Sequence, residues 1–109
     1  MDLTSVPDLL DGLSDDELWV EFLRRDSLSV GVYRLPAGGT DPQDPHAEDE
    51  VYYVVSGRAT LEVDGERSSV EPGDAVFVER EVDHRFRDVE EELVLLVFFA
   101  PAEGTLAGE

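Results

Sequence analysis

The sequence contains no cysteine, no lysine and only two histidines. Without cysteine, the protein cannot form disulfides, thiolate metal sites or a cysteine nucleophile. Eight arginines face 27 Asp and Glu residues, which leaves a net charge of −19. This charge repels phosphates, so nucleic acids and anionic membranes are not expected as partners. No apolar run approaches the ~18 residues that a membrane-spanning helix needs.

The remaining composition indicates one folded domain. The chain has 109 residues, of which 41% are hydrophobic, and this suffices for a core without covalent staples. The sequence begins Met1-Asp2 without a basic region, so a secretory signal is not expected and we predict a cytoplasmic protein. The acidity and the missing lysine favour a halophilic protein adapted to a salt-rich cytoplasm. Arginine-favouring codon bias with ordinary acidity is the alternative.

Short β-type segments separated by turn residues predict an all-β sandwich or barrel. A leader over residues 1–27 is expected to contain short helical turns, and Trp19–Leu23 could be a strand or the end of a helix. The barrel is expected over residues 28–101, with a frayed C-terminal tail over 102–109. The strand segments are residues 28–35, 50–55, 58–63, 75–78, 85–87 and 93–99.

Two turns are predicted inside this barrel. Asp64-Gly65 is expected to form a type I′ hairpin turn, and the run Glu90-Glu91-Glu92 a charged turn before the last strand. Residues 93–99 are apolar at both odd and even positions. We therefore expect both faces of this strand to be covered, by the leader or by a second subunit.

The two histidines, His46 and His84, lie among carboxylates. On an extended strand, side chains two or four residues apart share a face, so Asp44, His46 and Glu50 have matching parity. If the two histidine segments face each other inside a barrel, two imidazoles and one or two carboxylates converge. That set suits a divalent first-row metal ion.

Spacing strengthens this interpretation. The run His46-x3-Glu50-x6-Gly57 resembles the first motif of the cupin superfamily, and Gly73 to His84 resembles the second. The chain is therefore identified as similar to small single-domain cupins over residues 28–101. The resemblance implies a double-stranded β-helix, a jelly-roll-like barrel, with a metal site in its mouth.

The resemblance also implies a ligand set. His46, Glu50 and His84 match three ligands of the cupin motifs, but the position of the first histidine holds Asp44. Asp44 could ligate through oxygen, Gln43 could replace it through its amide, or the site could have three protein ligands. A two-histidine, oxygen-rich set is compatible with Fe, Mn, Zn or Ni.

The resemblance implies particular site residues but no single reaction. We expect a metal-dependent enzyme acting on a small organic molecule, with dioxygenase, isomerase or decarboxylase chemistry, because the fold does not choose among these. A non-catalytic cupin that binds a metal or small ligand is the alternative. Tyr52 and Phe86 share the inward parity and could line a substrate pocket or fill the core. Glu48 and Asp49 are expected on the solvated acidic surface, with a role as bases near the metal as the alternative. A homodimer is also expected, because small cupins commonly pair through strands such as residues 93–99.

Overall fold

Antiparallel strands make up most of the protein in a computed structural model that describes residues 1–15, 17–42 and 46–105. The β-strands form one sheet in the order β1-β2-β6-β3-β4, and β5 pairs with β3. This confirms the all-β prediction. In the described part of the chain, no helix has the length and apolar character needed to cross a membrane. The elements are α1 (Val6–Gly12), β1 (Trp19–Arg25), β2 (Leu28–Leu35), β3 (Asp49–Val63), β4 (Glu66–Val70), β5 (Ala75–Val78) and β6 (His84–Ala100).

The leader supplies one short helix and one strand. Ser5 caps α1 by accepting a hydrogen bond from the Asp8 amide, as expected for a helix N-cap. Trp19–Arg25 is a strand that pairs antiparallel with β2, with Trp19 opposite Tyr33. The leader therefore extends the sheet.

The two longest strands, β3 and β6, were expected as shorter separate pieces. Gly57 lies between the predicted strand segments 50–55 and 58–63, but β3 continues through it and pairs with β6 along its length, with register shifts on both sides of the glycine. Glu90, Glu91 and Glu92 lie inside β6, so the predicted charged turn is wrong. The chain bends at these points without leaving the sheet, because the ladder to the neighbouring strand resumes after each bulge.

Turn chemistry was easier to predict than strand length. Asp64 and Gly65 both have positive φ, at 49° and 85°, as a type I′ turn requires of its two central residues. The predicted hairpin between β3 and β4 is confirmed.

The strands alternate between an inner and an outer face. Glu50, Tyr52 and Val54 point inward from β3 and are buried, as the two-residue period requires. On the outer face, cross-strand neighbours form a row that includes Phe77, Val51 and Phe98. We call the exposed residues of this face the outer aromatic patch. Its members are Tyr53, Phe77 and Phe98, with 40%, 61% and 36% of their surface exposed.

Residues 101–105, which we call the C-terminal segment, pack against the sheet. Ala102 is buried, the Glu103 amide donates a hydrogen bond to Ser29 Oγ at 2.9 Å, and Arg24 donates to the Glu103 carbonyl at 2.7 Å. The expected frayed tail is therefore wrong for these residues. Residues 106–109 lie outside the described part of the chain.

Candidate metal centre and adjoining cavity

Barrel closure brings Glu50 and His84 together. Glu50 lies at the start of β3, opposite Phe99 and Val78, whereas His84 starts β6 opposite Val63, at the other end of β3. Their side chains nevertheless meet inside the barrel, where His84 Nε2 lies 2.7 Å from Glu50 Oε1 and each side chain is 1% exposed. The curvature of both strands creates this contact.

The ring of His84 is held by two further contacts. Nδ1 lies 2.9 Å from the Val82 carbonyl oxygen, and Nε2 lies 2.9 Å from the Tyr52 hydroxyl. Because a carbonyl oxygen only accepts, the hydrogen-bond network assigns a proton to Nδ1. Nε2 is therefore the nitrogen that faces the interior, toward Tyr52 and Glu50, and the one that would ligate a metal ion.

Glu50 is a buried carboxylate whose two oxygens lack hydrogen-bond donors in the described part of the chain. Neither of its oxygens has a hydrogen-bond partner among the described residues, although Oε1 is close to His84 Nε2. A ring nitrogen has one in-plane direction for a hydrogen bond, and the Tyr52 hydroxyl occupies a competing position 2.9 Å from it. The close approach is therefore an ion pair whenever His84 is protonated. A buried carboxylate in this state needs a nearby positive charge.

The raised pKa of His84 also reflects the need of the Glu50 carboxylate for a nearby positive charge. Burial lowers the pKa of His84, but the acidic and carbonyl groups around it, first among them Glu50, outweigh burial and leave that pKa raised. A proton or a cation between Nε2 and the carboxylate relieves the repulsion of their lone pairs.

His46 lies beside this pair. Its ring centroid is 6.2 Å from that of His84 and 4.8 Å from that of Phe99. His46 Nδ1 lies 3.5 Å from Glu103 Oε2. Burial raises the pKa of Glu103, and the charge of His46 opposes this rise. Within residues 1–15, 17–42 and 46–105, no three His, Asp or Glu side chains converge as a ready cation-binding group.

Of the remaining predicted site residues, two lie outside the described part of the chain and two lie in the core. Asp44 and Gln43 lie outside the described residues, so both stay predictions as ligands. Tyr52 is fully buried and its ring meets that of Phe86 edge-on, with centroids 5.0 Å apart. Tyr52 contacts His84 directly, whereas Phe86 packs against Tyr52 in the core. A substrate-binding role for either residue stays a prediction.

Asp41 is a buried carboxylate that sequence reasoning missed. It accepts hydrogen bonds from the Tyr33 hydroxyl at 2.8 Å and from the Phe86 amide at 2.9 Å. Burial and this carboxylate raise the pKa of Tyr33 far above its ordinary range. Asp41 also raises the pKa of His84. It lies in a Gly- and Pro-containing stretch that carries no parity signal, so its sequence context indicates only a loop.

Glu48 was also placed wrongly by the sequence. It is buried, and its Oε1 accepts a hydrogen bond from the Gly104 amide at 3.1 Å. This bond ties the loop between His46 and Glu50 to the C-terminal segment. Asp49 is half-buried and accepts a hydrogen bond from the Arg80 amide at 2.9 Å.

An apolar cavity of about 270 Å³ adjoins His46. Trp19 forms part of its wall, and the Trp19 ring lies directly against Gly31. A Cβ atom at position 31 would overlap that ring, so the glycine lets β1 bring its tryptophan onto the sheet. The described lining residues are Leu18, Trp19, Tyr33, Pro42, His46, Val97, Phe99 and Glu103.

Comparisons with known proteins agree with this architecture. The sequence profile of the Cupin domain family matches residues 31–99. An uncharacterised protein of Streptomyces coelicolor is 48% identical over 90 residues, covering 83% of this chain and 86% of that protein. A solved RmlC-like cupin from Shewanella frigidimarina is 25% identical, with a TM-score of 0.72 and coverage of 81% of this chain and 78% of that one.

A further solved structure is a named enzyme. The DMSP lyase DddQ from Ruegeria pomeroyi is 30% identical, with a TM-score of 0.65. The match covers 70% of this chain but only 39% of the lyase. Since the family profile spans well over half of the sequence and the barrel carries both motifs in order, the chain belongs to the Cupin domain family.

Proposed function

We propose that this cupin binds a divalent transition metal ion through His46, Glu50 and His84 and acts as an enzyme on a small organic molecule. One observation carries the metal proposal. The carboxylate of Glu50 is buried without a hydrogen-bond partner in the described chain, and it faces the ligating nitrogen of His84 at 2.7 Å. A bound cation would satisfy both groups at once.

Glu50 and His84 supply donors of suitable chemistry for such an ion, whereas His46 does not converge with them into a three-ligand group among the described residues. The Val82 carbonyl fixes the His84 tautomer that leaves Nε2 available, an arrangement typical of metal-ligating histidines. Imidazole nitrogen with carboxylate oxygen suits Fe, Mn, Zn or Ni. Asp44, or Gln43 in its place, remains our proposal for a further oxygen ligand.

The residues around the centre would support chemistry on a bound molecule. When bound, the metal ion supplies open positions and Lewis acidity. The Tyr52 hydroxyl is buried beside His84 and would give or accept the proton at a reacting atom. The apolar walls of the adjoining cavity, among them Phe99 and Trp19, exclude water from one side of the site.

Similarity to a lyase supports an enzymatic role, and metal analysis with activity assays tests it. The protein is purified without added metal, its metal content is measured, and oxygen uptake and turnover are followed with aromatic and keto-acid substrates. Stoichiometric iron or manganese with turnover supports the proposal. Bound metal without turnover favours the non-catalytic alternative. Full metal binding by both His84→Ala and His46→Ala would contradict the ligand assignment.

The outer aromatic patch supports a homodimer. Exposed aromatic residues on one sheet face are typical of protein interfaces.

We predict that Phe77→Ser raises the dimer dissociation constant by about 30-fold or more, as loss of a central hot-spot side chain does. Sedimentation at about 0.5 M salt, where repulsion between the acidic chains is screened, measures the change. Leu3→Ser, an exposed apolar site in the leader, is the control and should stay dimeric. A monomeric parent protein would contradict the prediction.

The net charge of −19 supports a halophilic protein that works in the cytoplasm without binding nucleic acid or anionic membranes. We predict that its melting temperature rises with KCl toward molar salt, because the Debye length falls to about 3 Å and screens repulsion between surface carboxylates. Thermal unfolding across a KCl series measures this. A melting temperature that falls steadily with salt would count against halophilic adaptation.

A further inference from the structure

The cavity beside His46 has a mixed lining that carries information about its ligand. Its walls are aliphatic and aromatic, and its polar groups among the described residues are His46, Glu103, the Tyr33 hydroxyl and the Trp19 indole N–H. The Tyr33 hydroxyl already donates a hydrogen bond to Asp41, so Tyr33 contributes its ring to the cavity. Because His46 is proposed as a metal ligand, Glu103 and the Trp19 indole N–H remain as polar contacts for a ligand.

The size of the cavity limits the ligand. Its volume is about 270 Å³, just below the ~300–1,000 Å³ that is typical of ligand pockets. At ~30 Å³ per water, it holds about nine water molecules. A single ring with a short polar head is the size that fits.

The aromatic wall provides for the apolar part of such a ligand. Trp19 meets Tyr33 and Phe99 edge-to-face, with centroids 6.5 Å and 6.3 Å away. These rings are fixed by one another and by the contact of Trp19 with Gly31. A preformed aromatic wall binds a flat apolar group with little loss of side-chain freedom.

The charge at the rim selects the head group. The carboxylate of Glu103 is about one-third exposed, and no arginine belongs to the described lining. Arg24 is close, but its guanidinium is occupied by the Glu21 carboxylate at 3.0 and 3.1 Å and by the Glu103 carbonyl at 2.7 Å. His46 Nδ1 lies 3.5 Å from this carboxylate, but the carboxylates of Glu48 and Glu21 also act on Glu103. Because acidic groups outnumber basic ones at this rim, a cationic head is favoured there over an anionic head.

We propose that this cavity binds a small organic cation, an amine with one ring-sized apolar group, whose ring packs on Trp19 and Phe99 and whose charged head contacts Glu103. This deepens the proposed function, on which it rests, by naming the substrate class of the same site. Glu103 is then the residue that determines specificity for charge.

Three probes that share one ring test this: benzylammonium, benzyl alcohol and benzoate. The full-length protein is titrated with each, and its metal content is measured in every preparation. Trp19 is the sole tryptophan in the sequence and reports binding by fluorescence. We expect benzylammonium to bind about fivefold or more tightly than benzyl alcohol, given the size of aromatic and ionic contacts with cations, and benzoate to bind most weakly.

Two glutamine variants isolate the carboxylate. Glu103→Gln should remove the preference for benzylammonium while leaving benzyl alcohol binding unchanged. Glu66→Gln, which makes the same charge change at the exposed β3–β4 hairpin, should keep the preference. A preference that survives Glu103→Gln, or absence of binding by all three probes, would overturn the inference.

Metal content separates this inference from the proposed function. If benzoate binds most tightly to metal-loaded protein, the metal site stands and the cationic substrate class is wrong. If benzylammonium is preferred in a Glu103-dependent way by protein that binds no metal, the cavity assignment is supported and the proposed metal function is wrong.

Discussion

Glu50→Gln should abolish the stabilisation that the proposed metal ion would give this protein. The substitution keeps the shape of the side chain but removes the charge that the buried carboxylate directs at His84 Nε2. An ion present at a hundred times its dissociation constant adds about 2.7 kcal/mol to the free energy of unfolding. We expect the variant to lose this increment and its metal affinity to fall about 100-fold or more. Thermal unfolding with and without the metal ion found in the isolated protein measures both.

Glu48→Gln is the matched control, because Glu48 is equally buried but accepts a hydrogen bond from Gly104. It should lower stability to a similar extent with and without metal and preserve the difference between the two conditions. A metal-dependent shift that persists unchanged in Glu50→Gln would remove Glu50 from the ligand set.

Gly57→Ala should destabilise the fold more than any other glycine substitution in the barrel. Gly57 has a φ of 92°, and a Cβ atom there would lie 2.7 Å from Leu93 Cα and 2.8 Å from the Glu92 carbonyl carbon. Both neighbours are backbone of β6 and cannot rotate away. Strain in the left-handed region and overpacking together cost on the order of 3 kcal/mol or more. Chemical denaturation with urea measures the loss.

Gly65→Ala separates the two causes. Gly65 has a φ of 85°, but a Cβ atom there meets nothing within 4 Å. We expect it to lose only the strain, roughly 1–2 kcal/mol. Equal losses in the two variants would show that close approach of β3 and β6 at Gly57 contributes little.

Local pattern explains which parts of the fold were predictable. Strand β2, strand β5 and the Asp64-Gly65 hairpin follow from β-rich composition and turn chemistry, which act over a few residues. The continuity of β3 and β6 was missed because Gly57 and the run Glu90–Glu92 look like chain breaks. Pairing with a distant strand outweighs such local preference.

The same limit applies to the candidate site. Parity placed Glu50 and His84 on inward faces, and both are buried there. It gave no sign of Asp41, whose role depends on hydrogen bonds to Tyr33 and to the distant Phe86 amide. It also gave no sign of Glu103, since a polar C-terminal stretch resembles a free end. Contacts with Ser29 and Arg24 hold that stretch in place.

The sequence by itself determined the kinds of group available to this protein. With no cysteine and two histidines, a metal site using both imidazoles must draw its other ligands from oxygen, and the resemblance to the first cupin motif predicts Glu50 as one. Only the tertiary structure decided that Glu50 and His84 touch, and that Glu103 closes a cavity beside His46. The reason is physical. Side-chain parity is set by the local backbone, whereas a contact between the ends of two long strands depends on how the whole sheet bends and closes.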